Sequence, residues 1–120
     1  MIEDDRDNMD TIKLILESGG YKVVGIEGTT DIIRDVCESK PDLVLTDYLL
    51  KGQNGLSIRN ALKSNLATQN IPVILTTAHR DIAMCVDRSC FADIILKPFD
   101  INTLLYAVRT GLTKSEWNIQ

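Results

Sequence analysis

Apolar positions along this chain follow two rhythms that take turns. Short runs rich in β-branched residues, apolar nearly throughout, occupy residues 21–26, 43–46, 71–76 and 94–96. Runs without polar alternation belong to strands covered on both faces, as in a parallel sheet. Between them apolar residues recur at spacings of three and four, the period of a helix with one buried face. Met9, Ile12, Ile15 and Leu16 make the first such stripe, closed by Gly19 and Gly20 as a stop signal. Ile32, Ile33, Val36 and Cys37 make the second, with Thr29 and Thr30 as cap candidates. Ile58, Ala61, Leu62 and Leu66 form a third, and Ile82, Ala83 and Val86 a shorter fourth. Leu104, Leu105 and Val108 form a fifth behind Asp100 as N-cap. Residues 113–120 hold Trp117 and no clear period, and read as a short tail whose tryptophan packs on a helix or lies at the surface.

Strand and helix alternate, with connections too short for anything but crossovers. The expected architecture is a single α/β domain over residues 1–120, a doubly wound parallel sheet with helices on both faces. One element is out of proportion. Such a sheet needs a central strand before the first helix, yet only Met1 and Ile2 precede an acidic cluster. At about 3.3 Å per residue, two residues do not cross a sheet layer. The first strand is therefore expected to be truncated, either unusually short or lacking a few upstream residues.

Composition narrows the class without changing the architecture. Hydrophobic residues are 44% and charged residues 25% of 120, which excludes disordered and low-complexity readings. No apolar run exceeds five residues, too short for a membrane span or a signal-peptide core, so a soluble, cytoplasmic domain is expected. Seventeen acids against thirteen bases give −4, with no basic block to neutralise phosphates, so direct nucleic-acid binding is not expected. Cys37, Cys85 and Cys90 form no CxxC pair, and His79 is the one histidine, so reduced thiols are expected rather than zinc or disulfides. Cys85 and Cys90 are expected inside or at the end of the fourth helix.

The candidate chemistry lies at the strand ends. Open parallel sheets bind ligands beyond the carboxyl ends of their strands, where the strand order reverses. Standing there are Glu3 and Asp4, then Asp47, then Thr77, then Lys97 followed by Pro98. With neighbouring strands ~4.8 Å apart, these side chains converge on one pocket. Three carboxylates so placed repel one another, and a hard divalent cation such as Mg²⁺, which takes oxygen ligands and a phosphate, relieves the repulsion. Lys97 offers a point charge and Thr77 a hydroxyl to a phosphoryl group, while a carboxylate can serve as nucleophile and form an acyl phosphate. Singly, each residue has a plain explanation: a helix cap, a packed threonine, a turn. Their coincidence at separate strand ends is what points to phosphoryl chemistry.

With those residues in place, the chain resembles a response-regulator receiver domain of two-component signalling, similar to the chemotaxis receivers, over nearly its whole length. The resemblance rests on Ile2-Glu3-Asp4-Asp5, on residues 41–47 ending in Asp47, on Gly55, on Thr77-Ala78 and on Lys97-Pro98-Phe99. The separations also fit, 43 residues from Asp4 to Asp47, 30 to Thr77 and 20 to Lys97. It implies a five-stranded flavodoxin-like sheet of order 2-1-3-4-5 and a phosphorylation-controlled switch rather than a turnover enzyme. Asp47 would accept phosphoryl from a sensor histidine kinase or phosphotransfer protein. Mg²⁺ would sit on Glu3, Asp4, Asp47 and the backbone carbonyl of Leu49, with Asp5 the alternative to one member of the acidic pair. Lys97 would pair with the carboxylate and then the phosphoryl oxygens, and Thr77 would swing toward the phosphoryl group. The Lys97–Pro98 peptide is implied to be cis. Departures also stand out. Ile94 occupies the position of the aromatic that usually accompanies the threonine, so the relay would use the loop after Thr77, or His79 and Met84. Lys51 and Cys90 replace a common proline and glycine, and Leu49 and His79 flank the acceptor, where they would alter access of hydrolytic water.

Output would then come from binding an unidentified downstream protein, with the last two helices as a candidate homodimer surface. The competing reading is a pseudo-receiver, an interaction module that is not phosphorylated. An aspartyl-phosphate hydrolase would need an acid where Leu49 stands, and a flavodoxin-like cofactor carrier would need a phosphate loop after the first strand.

Overall fold

The computed structural model describes residues 1–27 and 31–117. Its sheet is centred on β4 (Val73–Thr77), buried at every position. This strand pairs in parallel with β1 (Val44–Asp47) on one side and β5 (Asp93–Leu96) on the other, giving the order β1-β4-β5. All three match runs read from the sequence to within two residues at either end.

The expected first two strands are reduced to single bridges. Ile2 bridges in parallel to Ile26 on one side and Thr46 on the other. Residues 21–25, expected as strand, are not part of a ladder. The bridges nonetheless run in the spatial sequence the resemblance implied, with the 26 segment, then Ile2, then β1. The first strand is short, as expected, and its backbone bonds hold it between both neighbours. On one side Ile2 N–H donates to Leu45 C=O at 2.8 Å and Asp47 N–H to Ile2 C=O at 3.1 Å. On the other, Ile26 N–H donates to Met1 C=O at 2.8 Å and Glu3 N–H to Ile26 C=O at 3.2 Å, with the Met1 ammonium on Val24 C=O at 2.8 Å. Three residues therefore fix Glu3 at the end of the sheet.

Helices cover both faces, as expected. Along β1 and β4 successive side chains alternate between two apolar clusters, as the two-residue strand period requires. Val44, Val73 and Leu75 meet α2 (Ile32–Ser39) and α3 (Gly55–Lys63) through Ile32, Val36, Ile58 and Leu62. Leu45, Ile74 and Ile95 meet α1 (Arg6–Ser18) and α5 (Ile101–Trp117) through Ile12, Leu16, Leu104 and Val108. Asp5 caps α1 by accepting from the N–H groups of Asp7 and Asn8. Asp100 accepts from Thr103 N–H at 2.7 Å at the start of α5.

Several local expectations are revised. Thr29 and Thr30 lie outside the described residues, and the cap of α2 is Asp31, whose carboxylate accepts from Arg34 N–H. Leu66 is not on the helical stripe; α3 ends at Lys63 and Leu66 is 85% exposed. The buried place beyond the helix goes to Thr68, whose hydroxyl donates to Leu62 C=O at 2.6 Å. Helix α4 (Arg80–Cys85) is a single short piece with no buried residue, followed by a 3₁₀ turn (Arg88–Cys90). Cys85 is exposed at its end, and Cys90 is half-buried in that turn against the α2–α3 cluster. Residues 113–117 continue α5 rather than forming a tail, although the Trp117 side chain lies outside the described ones. A small hairpin of β2 (Leu49–Leu50) and β3 (Gln53–Asn54), not anticipated from the sequence, follows β1.

Candidate functional site

The strand register gathers the candidate residues at one end of the sheet. Asp47, the last residue of β1, stands opposite Thr76, so Thr77 lies one step beyond. Thr77 stands opposite Leu96, so Lys97 follows immediately after the end of β5. The Lys97 backbone N–H donates to Thr77 C=O at 2.7 Å, and the Lys97–Pro98 peptide is cis, as the resemblance implied.

Lys97 is the hub. Its Nζ lies 3.0 Å from Glu3 Oε2 and 3.5 Å from Asp47 Oδ2, with all three side chains largely out of water. Glu3 is 3% exposed, and its other oxygen accepts from Asp5 N–H at 3.2 Å. Asp47 accepts from Tyr48 N–H at 2.9 Å. Burial, the largest influence, pushes the Asp47 carboxyl above the usual range, and the Glu3 charge adds to it, against the lowering effect of Lys97 and the Tyr48 N–H. The Thr77 oxygen accepts from the N–H of His79, the exposed residue that caps α4, at 3.1 Å.

Gly55 explains how α3 can begin so close to Asp47. Its N–H donates to Tyr48 C=O at 2.7 Å. A Cβ there would lie 2.8 Å from Asp47 C=O and 2.5 Å from a Leu75 methyl, so only glycine admits this approach.

The acidic pair divides its work. Glu3 faces Lys97, whereas Asp4 accepts through Oδ2 from the backbone N–H of Lys51 in the β2–β3 turn. Asp5, the alternative ligand, is occupied as the α1 cap. Glu3 and Asp47 on one ammonium, with Asp4 next to Glu3 in the chain, have the donor type and charge that a hard divalent cation takes. They are not preassembled around one point, however: among the described residues no three His, Cys, Asp or Glu side chains form a metal-sized group. Leu49 exposes its side chain in the hairpin, two residues after Asp47. Ile94 is half-buried against the α2–α3 cluster.

Sequence reasoning found Asp47, Thr77, Lys97 and Glu3, and the structure brings Asp47, Lys97 and Glu3 into contact. It did not anticipate Tyr48, and although it singled out Lys51 and His79 it did not foresee that all three act through backbone N–H groups, which any residue type supplies. Gly52, with φ of 76°, was the available signal for the turn that presents Lys51.

Comparison with known proteins gives a consistent picture. Residues 1–109 match the response regulator receiver domain family. The DNA-binding response regulator MtrA of Mycolicibacterium paratuberculosis is 30% identical over 97% of this chain, and the phosphate regulon transcriptional regulatory protein PhoB of Pseudomonas aeruginosa is 28% identical over 96%. The chain spans about half the length of these curated relatives, 51% of each. Among solved structures, a sensor protein from Polaromonas sp. JS666 superposes with a TM-score of 0.87 at 22% identity, over 95% of this chain and 94% of that one. The receiver domain of a sensor histidine kinase from Pseudomonas aeruginosa PAO1, solved with magnesium coordinated in its active-site cleft, gives 0.80 at 25% identity, over 93% of each chain.

Proposed function

The chain belongs to the response-regulator receiver family, and from that premise we propose that it is an Mg²⁺-dependent switch phosphorylated on Asp47. The observation that carries this reading is the Lys97 ammonium 3.5 Å from the Asp47 carboxylate, at the carboxyl end of a buried parallel sheet. A carboxylate oxygen of Asp47 attacks the phosphorus of a phosphohistidine on a sensor kinase or phosphotransfer protein. The P–O bond forms as the P–N bond breaks, and its electron pair returns to the departing imidazole. Lys97 then serves the phosphoryl oxygens, and Glu3 keeps its chain extended toward them.

Asp4, Glu3, Asp47 and the Leu49 carbonyl would hold Mg²⁺, which offsets the negative charge that gathers as phosphoryl approaches. To do so Asp4 gives up the Lys51 N–H. Thr77 turning to the phosphoryl group gives up the His79 N–H at the start of α4, a helix with no buried residue to anchor it. The relay thus runs through the backbone of the loop after Thr77, which suits Ile94 in place of an aromatic. Phosphorylation acts as a population shift between two arrangements of this loop.

The relatives named as DNA-binding regulators are about twice this chain's length; for residues 1–117 the reading is output by protein contact, without direct nucleic-acid contact. A cytoplasmic setting is part of the same reading, and no helix among the described residues is long and apolar enough to cross a membrane. The test is intact mass after incubation with Mg²⁺ and acetyl phosphate. One added phosphoryl group, absent for Asp47→Asn and without Mg²⁺, is expected. A folded chain that gains nothing would instead be a pseudo-receiver.

A further inference from the structure

The two members of the acidic pair are tied to opposite sides of the site. Glu3 accepts from Lys97 Nζ at 3.0 Å, whereas Asp4 Oδ2 accepts from the backbone N–H of Lys51. Asp4 and Lys51 are 47 residues apart, so the bond joins the residue after Glu3 to the tip of the β2–β3 hairpin. Among the described residues no three acidic, histidine or cysteine side chains come together as a metal-sized group. The Asp4 bond accounts for part of that separation, because it commits one carboxylate oxygen to the hairpin.

The donor is available because of the turn. Leu50 pairs with Gln53, so Lys51 and Gly52 are the two central residues of a tight turn. A turn closes its hydrogen bonds between the flanking residues, which leaves the N–H of the first central residue without a partner inside it. Gly52 has φ of 76° while Lys51 keeps a negative one, the pattern of a type II turn. The first central position of such a turn accepts proline readily, and proline brings no N–H. The proline common at this place in receivers would thus leave Asp4 without the bond.

The hairpin is fixed at its base and not by its tip. Tyr48 N–H donates to Thr76 C=O at 2.8 Å and Gly55 N–H to Tyr48 C=O at 2.7 Å. Asn54 caps α3 by accepting from Ser57 N–H at 2.9 Å. Lys51 and Gly52 are exposed, so the tip can swing without disturbing the acceptor strand.

We propose that Lys51 is a positioning residue for the metal site, its N–H latching Asp4 to the hairpin in competition with Mg²⁺. The proposal rests on the reading of Asp4 as a Mg²⁺ ligand. Asp4 turning to the cation gives up a hydrogen bond to a charged acceptor, and the hairpin tip is released. Without the N–H, Asp4 serves the cation with no bond to break. The coupling is reciprocal: Mg²⁺ loosens the tip, and a partner that draws the tip away raises Mg²⁺ affinity by the same factor. Leu49, 52% exposed in β2, is the apolar handle for such a partner.

The test is a Mg²⁺ titration of the ¹⁵N-labelled chain, with affinity read from the Asp47 and Tyr48 amides. Lys51→Pro should bind Mg²⁺ about tenfold more tightly than Lys51→Ala, which removes the side-chain charge but keeps the N–H. In the metal-free parent chain the Lys51 amide should exchange with deuterium more slowly than in Asp4→Ala. Saturating Mg²⁺ should speed the parent toward the Asp4→Ala rate. A merely structural role for Lys51 would change stability without separating the two affinities. Equal affinities of the proline and alanine variants would overturn the latch and leave the metal site standing. So would a Lys51 exchange rate that saturating Mg²⁺ leaves unchanged, a measurement that needs no proline variant to fold. No saturable Mg²⁺ binding by the folded parent would overturn the reading of the metal site, and the latch with it.

Discussion

Asp47 is held between influences of opposite sign, and their balance sets its behaviour. Burial and the Glu3 charge favour the protonated carboxyl, while Lys97 and the Tyr48 N–H favour the carboxylate, and burial prevails. A carboxyl whose pKa is higher folded than unfolded binds protons more readily in the native state. Ionising it therefore costs stability above the folded pKa, and the cost vanishes below the unfolded one. Asp47→Asn in metal-free buffer should raise stability at neutral pH, with the gain shrinking as the pH falls toward the ordinary carboxylate range. Urea midpoints of both proteins across that range check this; a gain that grows on acidification would refute it. Lys97→Ala should act in the other direction. It leaves Glu3 and Asp47 buried without a counter-charge, a loss on the order of 3 kcal/mol, and adding Asp47→Asn should restore part of it. Strict additivity of the two changes would mean that the 3.5 Å pair carries no coupling. The sequence placed these side chains at strand ends. That Lys97 stands nearer Glu3 than Asp47 depends on rotamers and on three residues of backbone pairing, which no spacing rule reports.

Among the elements, those packed on both sides were the legible ones. The runs that became β1, β4 and β5 are apolar throughout because the two clusters cover them, and the same burial makes their pattern unambiguous. Residues 21–26 look equally strand-like, yet ladder pairing requires a partner of matching length, and among the described residues only Ile2 bridges to this segment. Leu66 misled because α3 ends at Lys63 and leaves it exposed, whereas the fourth stripe did mark a face: Ile82, Ala83 and Val86 are half-buried while Asp81, Met84 and Cys85 are exposed. Cap residues were legible where the side chain itself does the work. Asp100→Ala should lower the unfolding temperature by freeing the Thr103 N–H, with Asp100→Asn lowering it less, as read from thermal unfolding. Gly55→Ala tests how tightly α3 presses on the acceptor strand. A methyl 2.8 Å from a backbone carbonyl must displace α3 or β1, so a loss of about 1–3 kcal/mol is expected together with slower phosphorylation. Unchanged stability would show that the helix start gives way easily.

For the whole molecule, the sheet acts as a rigid frame whose carboxyl end collects charge that the fold itself does not balance. Two apolar clusters hold β1, β4 and β5 from either face, and the bonds of Met1, Ile2 and Glu3 to both neighbours bring the acidic pair to the same end. Glu3 and Asp47 there share the one ammonium of Lys97 while Asp4 lies on the Lys51 N–H, so negative charge gathers at this end only when the chain is folded. A divalent cation that offsets this charge binds the native state and not the unfolded one, so it must stabilise the fold by mass action. At about a hundred times its dissociation constant the gain is about 2.7 kcal/mol. Mg²⁺ should therefore raise the urea midpoint without changing the slope, while potassium at matched ionic strength should not. Asp4→Asn should remove most of that gain. The same variant in the absence of Mg²⁺ should be nearly neutral, because an amide oxygen can still accept the Lys51 N–H. An equal Mg²⁺ response from Asp4→Asn and the parent chain would show that the ion acts elsewhere, and that the acidic pair serves Lys97 alone.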